Sequence, residues 1–151
     1  MDPSDSGGRE SDGRYAINQL APEWQELIAA ARAAQKHAYA PYSHFAVGAA
    51  LRTVEGDIFT GCNIENASSG LTVCAERVAV WRAVERGQRR LVALAVATES
   101  GVMPCGACRQ VLSEFSTDLP VAAVSAHGRV RLTTLRDLLP WPFRSEDLPA
   151  G

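Results

Sequence analysis

Two short segments hold most of the reactive side chains of this sequence: Cys74-Ala75-Glu76 and Pro104-Cys105-Gly106-Ala107-Cys108. Three thiolates gathered around Zn2+ leave one tetrahedral position for water, the arrangement of a catalytic rather than a structural metal site. A metal so placed lowers the pKa of that water to about 7 and makes hydroxide available at neutral pH. Three thiolates also donate much negative charge, so something must withdraw it. Both segments open a predicted helix, and helix N-termini carry partial positive charge. Arg77 and Arg109 stand where their guanidinium groups can hydrogen-bond the sulfurs from behind the ligands. Glu76 follows Cys74 by two positions; because the residue opening a helix is not yet helical, its carboxylate can still reach the water. A glutamate within about 3 Å of it acts as base first and acid afterwards, a contribution of roughly 10²- to 10⁴-fold.

Plainer roles exist for the same residues. Cys62 could complete a four-cysteine structural site, but such sites usually show two close ligand pairs, and here only Cys105 and Cys108 are close. Strand alternation turns Cys62 toward the side of Ile58 and Ile64, which predicts a buried core thiol. Glu76 alone would be a first-turn glutamate favoured by the helix dipole; its place beside Cys74 reverses that. Arg77 could share an exposed helix face with Arg82 and Arg86, and His37, His44 and His127 show no ligand spacing.

The elements that must position these groups follow from periodicity. Trp24, Leu27, Ile28, Ala31, Ala34 and Ala38 recur at three and four from Pro22, which predicts an amphipathic helix to Ala40, stopped by Pro41. Phe45 to Val54 and Asp57 to Ile64 flank Glu55-Gly56 as a hairpin. Cys74 to Arg86 is helical in spacing and ends at Gly87. The apolar run Leu91 to Thr98 suits a central strand covered on both faces. A short helix is expected at Ala107 to Phe115, strands at Val121 to Ser125 and Arg129 to Thr133, and a last helix at Thr134 to Leu139. The order α-β-β-α-β-α-β-β-α predicts an α/β fold with a mixed five-stranded sheet flanked by helices on both faces.

At 151 residues with 46% apolar and 21% charged side chains, the chain suits one globular domain. Residues 1–14 are Ser/Asp/Gly-rich and nearly devoid of apolar side chains, so they read as a disordered tail before a single domain at 15–151. That tail carries the whole formal charge of -2, leaving the remainder neutral. A neutral domain offers no basic groove to nucleic acid. No apolar run approaches the roughly 18 residues of a membrane helix, and the acidic start lacks the regions of a secretory signal, which predicts a soluble cytoplasmic protein without membrane partners. In that setting the cysteines are expected as reduced thiols or metal ligands rather than disulfides.

The segments SHFAVGAA (43–50), GCNIENAS (61–68), CAERVAV (74–80), PCGACRQV (104–111) and LLPWPFRSEDL (138–148) together resemble the short, homotetrameric zinc-dependent cytidine deaminases, whose signature in its three-cysteine form is the pair CAE and PCGAC. The resemblance implies a cytidine deaminase-like α/β/α sandwich. It also implies hydrolytic deamination of cytidine and 2′-deoxycytidine in pyrimidine salvage, with one Zn2+ per chain. Cys74, Cys105 and Cys108 match the zinc ligands, and Glu76 the proton shuttle. Asn63 and Glu65 match the residues that hold the ribose 3′-hydroxyl, and their spacing on a predicted strand puts both on one side. Phe45 matches the aromatic that stacks on the pyrimidine, and the Ala75 backbone a contact to the base edge. Phe143 matches an aromatic lent by a neighbouring subunit, which implies active sites at interfaces of a homotetramer. Two positions depart from the pattern: Ser69 stands where the family usually has an aromatic, and Ala46 where many members have proline. Rival readings are a deaminase of an aminocytosine antibiotic or modified nucleoside, and a non-catalytic zinc-stabilised oligomerisation module.

Overall fold

The computed structural model of the chain describes residues 13–151, so most of the expected tail lies outside the described residues. Its first long element, α1 (Pro22–Gln35), has Pro at the first turn and buries Trp24, Leu27, Ile28 and Ala31 on one stripe, each large side chain worth about 1.5–3 kcal/mol of burial. The helix stops five residues before Ala40. The backbone of Tyr39 is claimed by a bridge to Ile64, its N–H donating to the Asn63 carbonyl and its carbonyl accepting from the Glu65 N–H. Long-range pairing therefore ends the helix before Pro41 can.

The hairpin β2 (Gly48–Thr53) and β3 (Ile58–Cys62) turns at Gly56, whose φ of 93° suits glycine alone. Both strands are shorter than their apolar runs. At their open end the Asn63 side chain takes over from the ladder: Oδ1 accepts from the Val47 N–H at 2.8 Å and Nδ2 donates to the Phe45 carbonyl at 2.7 Å. The later elements fall close to expectation: α2 (Ala75–Glu85), β4 (Leu91–Ala97), α3 (Gly106–Phe115), β5 (Pro120–Val124), β6 (Arg129–Thr134) and α4 (Leu135–Leu138).

The sheet has six strands in the order β1-β6-β5-β4-β2-β3. The sixth is β1 (Tyr15–Ala16), which pairs antiparallel with β6; two residues are too few to show alternation, so it left no pattern in the sequence. The sheet is mixed because β4 runs antiparallel to β2 but parallel to β5, the two joined across α3. Ala93, Ala95 and Ala97 pack beneath α1, while Leu94 and Val96 face the side of α2 and α3. The α/β/α layering is as expected, with small residues under one helix and branched ones under the others.

Two glycines let the helices touch the sheet. A Cβ on Gly48 would sit 2.0 Å from the Ala31 carbonyl oxygen, and one on Gly61 would sit 2.3 Å from that of Ala75. Gly61 thus allows the start of α2, and with it Cys74 and Glu76, to lie directly on the hairpin.

Candidate active site

Cys74 is the N-cap of α2, Cys105 is the N-cap of α3, and Cys108 lies in the first turn of α3. Their Sγ atoms all lie within 4.8 Å of one another, with Cys74 and Cys105 at 3.7 Å. Zn–S bonds of about 2.3 Å at tetrahedral angles hold sulfurs roughly 3.8 Å apart, the spacing of the Cys74–Cys105 pair, so the cluster is of a size to take zinc. Hydrogen bonding from Cys108, then from Arg77, draws the Cys74 thiol well below the ordinary range, while the Cys108 thiol, as donor to Cys74 and buried, is pushed up. Cys74 and Cys108 thus share a proton unevenly, and metal ligation requires cysteine sulfurs as thiolates, a state that a divalent cation favours. The described residues bring no fourth His, Cys, Asp or Glu ligand into this cluster. Cys62 stands apart: its thiol donates to the His37 carbonyl at 3.5 Å, and it is half-buried rather than the core thiol expected. The four-cysteine structural site is thereby set aside.

Arg77 Nη2 donates to Cys74 Sγ at 3.3 Å. Arg109 does not follow the expectation of a sulfur contact. Its Nε donates to the Pro104 carbonyl at 2.8 Å and its Nη1 to that of Leu138 at 2.9 Å, which fixes the turn before Cys105 and ties α3 to the end of α4. The difference is geometric, because the side chain of a residue after the first turn runs back along its own helix toward the preceding loop.

Glu76 is only 4% exposed. Burial raises its pKa, and the negative charge of Cys74 raises it further. A carboxyl shifted upward exchanges protons nearer neutral pH, as a general acid-base group must. It lines a cavity of about 240 Å³ together with Cys74 and Cys105. Val47, Val73, Val96, Val102 and Met103 supply apolar walls, and Phe45, Asn63 and Glu65 line it as well. The lining includes no lysine or arginine.

Asn63 and Glu65 share this cavity although β3 ends before them, so the strand argument reached the right side for the wrong reason. Asn63 is 7% exposed and acts as a strut between Phe45 and Val47. The Glu65 pKa is lowered, chiefly by the Ser43 hydroxyl; desolvation opposes this, and the backbone N–H groups of Ser43 and Tyr42 add smaller lowering effects. Ala75 is buried in the first turn of α2. Phe143 is 60% exposed, its carbonyl held by Gln110 Nε2 at 2.8 Å, and it does not line the cavity of its own chain. Among the lining residues that went unmarked in the sequence, Ser43 and Thr98 make polar contacts that shape the cavity. Ser43 contacts Glu65, and the buried Thr98 accepts from the N–H groups of Gly101 and Val102 at 2.8 and 3.1 Å, shaping the loop toward Cys105.

Three clustered thiols at two helix N-termini of an α/β/α sandwich, two of them on one small cavity with a buried carboxyl, define a metal-dependent hydrolytic enzyme. Residues 22–124 match the cytidine and deoxycytidylate deaminase zinc-binding region. A cytidine deaminase of Sporosarcina psychrophila is 49% identical, the match covering 82% of this chain and 93% of that protein. One of Halalkalibacterium halodurans is 47% identical over 82% of this chain and 96% of its own length. The crystal structure of cytidine deaminase from Burkholderia pseudomallei superposes with a TM-score of 0.77 at 48% identity, covering 82% of this chain and all of that one. The chain belongs to the cytidine and deoxycytidylate deaminase family, whose matched region is zinc-binding, and Cys74, Cys105 and Cys108 form a cluster able to hold a metal ion.

Proposed function

We propose that the enzyme hydrolyses cytidine and 2′-deoxycytidine to uridine and 2′-deoxyuridine, with release of ammonia. The observation that carries this is the buried Glu76 beside three clustered sulfurs, with Glu76, Cys74 and Cys105 lining a cavity of about 240 Å³ that no lysine or arginine lines. When bound there, zinc supplies the positive charge that brings the pKa of a water near 7. Glu76 takes one proton from the attacking water and gives it to ring nitrogen three, then takes the second proton from the same oxygen and gives it to the departing amine. The bond from carbon four to nitrogen breaks, and oxygen from water takes its place. The apolar walls exclude other water from the ring. Phe45 stacks on the pyrimidine, the Ala75 backbone meets the base edge, and Asn63 with Glu65 holds the sugar hydroxyl. Arg77 holds the Cys74 sulfur and so balances charge behind the ligands.

Two carboxylates and no cation around the cavity disfavour a 5′-phosphate by like-charge repulsion, so nucleosides are selected over nucleotides. Exposed Trp141, Phe143, Leu71 and Trp81 support assembly into a homotetramer in which Phe143 completes a neighbour's site. The proposed enzyme is cytoplasmic, serves pyrimidine salvage and acts as a single domain over 15–151; among the described residues no helix is long and apolar enough to cross a membrane.

A substrate panel tests the reading. Purified zinc-loaded protein should convert cytidine and 2′-deoxycytidine to the uridines and release equimolar ammonia, while leaving cytidine 5′-monophosphate nearly untouched. Conversion only of an aminocytosine antibiotic would transfer the chemistry to that substrate. Absence of ammonia from every nucleoside would leave a zinc-stabilised oligomerisation module.

A further inference from the structure

The turn at residues 40–45 is folded around one carboxylate. Glu65 Oε1 accepts from the N–H groups of Tyr42 at 2.9 Å and Ser43 at 3.1 Å, and Oε2 accepts from the Ser43 hydroxyl. The His44 N–H closes onto the Ala40 carbonyl at 3.0 Å. His44 itself has φ of 57°, a left-handed conformation that non-glycine residues rarely adopt. Such a conformation persists where the surroundings over-determine it, and here the surroundings are the donors converging on Glu65.

The Ser43 hydroxyl has a second partner. Its oxygen accepts from the Phe45 N–H at 3.0 Å, which leaves its own proton aimed at Glu65. A carboxylate offers about four acceptor sites. Three are taken by this turn, so the free site lies on Oε2, beside the serine hydroxyl and on the cavity that Ser43, Phe45 and Glu65 all line. Serine in place of alanine therefore does more than occupy a turn: it fixes which oxygen of Glu65 stays available and where it points.

We propose that Ser43 is a positioning residue for sugar recognition, acting through Glu65 by way of the chain from the Phe45 N–H to the serine hydroxyl to Oε2. This rests on the reading that the enzyme binds a nucleoside with its sugar at Glu65. Loss of the hydroxyl frees the carboxylate to rotate, which weakens its grip on the sugar 3′-hydroxyl and leaves the chemistry at Glu76 untouched.

Steady-state kinetics of the zinc-loaded enzyme on cytidine and on 2′,3′-dideoxycytidine, which lacks that hydroxyl, test the assignment. In Ser43→Ala, KM for cytidine should rise about tenfold with kcat within about threefold, the scale of one charge-assisted hydrogen bond lost. For the dideoxy substrate the rise in KM should shrink to about threefold or less, as in a cycle that removes both partners of a contact. Ser43→Thr, which keeps a hydroxyl at an exposed position, should stay close to the wild type on both. An equal KM rise on both substrates, or a Ser43→Thr variant as impaired as Ser43→Ala, would overturn the proposal in favour of a purely structural turn. Unchanged KM for cytidine in Ser43→Ala would overturn it alone, whereas a wild-type enzyme inactive on cytidine would take the nucleoside reading down as well.

Discussion

The floor and the rim of the cavity are built from different materials. At the floor, Cys74, Glu76 and Cys105, with Cys108 behind them, sit at the starts of α2 and α3, and α2 lies on the hairpin by close backbone approach at Gly61. At the rim, Ser43, Phe45, Asn63 and Glu65 lie outside every strand and helix, and their places depend on hydrogen bonds between side chains and a distant backbone. Groups that must hold a metal and move a proton are placed by regular structure with few degrees of freedom. Groups proposed to recognise the substrate are placed by a polar network that can be tuned one contact at a time. The prediction from this contrast is that floor substitutions change turnover or metal, and rim substitutions change KM.

Glu76→Gln should show the largest effect: kcat falls by roughly 10²- to 10⁴-fold with zinc content and melting temperature preserved. Near-normal turnover would remove Glu76 from the reaction. Gly61→Ala comes next, because the added methyl meets the Ala75 and Ala79 backbone; calorimetry should record a loss of about 1–3 kcal/mol and assays a drop in kcat as the floor shifts. Arg77→Ala should weaken zinc binding by about 10- to 100-fold in a competition titration with a chelator, the usual scale for a group that orients a metal ligand. The same titration on Arg109→Ala should show a smaller change, since that guanidinium holds carbonyls rather than a sulfur. Gly70→Ala should be the quietest: nothing lies within 4 Å of the new Cβ, and stability should stay within about 0.5 kcal/mol.

The floor was legible in the sequence because its determinants are local. Cysteines at helix starts, two of them three apart, announce both the element and the chemistry. The sheet was legible through apolar runs and turn residues, apart from the two-residue β1. The end of α1 was not, since the Tyr39–Ile64 bridge that stops it joins segments far apart in the chain. Arg109 was misplaced because proximity to Cys108 in sequence says nothing of which acceptor its side chain will meet. Cys62 was assigned to the core from alternation, but it closes β3 at the point where the strand leaves the sheet. Ser43 carries no spacing signal at all; its importance lies in a contact to Glu65, 22 residues away.

The central claim is that hydrolysis depends on zinc held by Cys74, Cys105 and Cys108. The most direct test follows the absorbance of cytidine while zinc is stripped from the protein and then returned in known amounts. Activity should vanish with the metal and climb back linearly until about one ion per chain is bound, as expected for a metal that activates water. Protein freed of zinc that still converts cytidine at the original rate would contradict it.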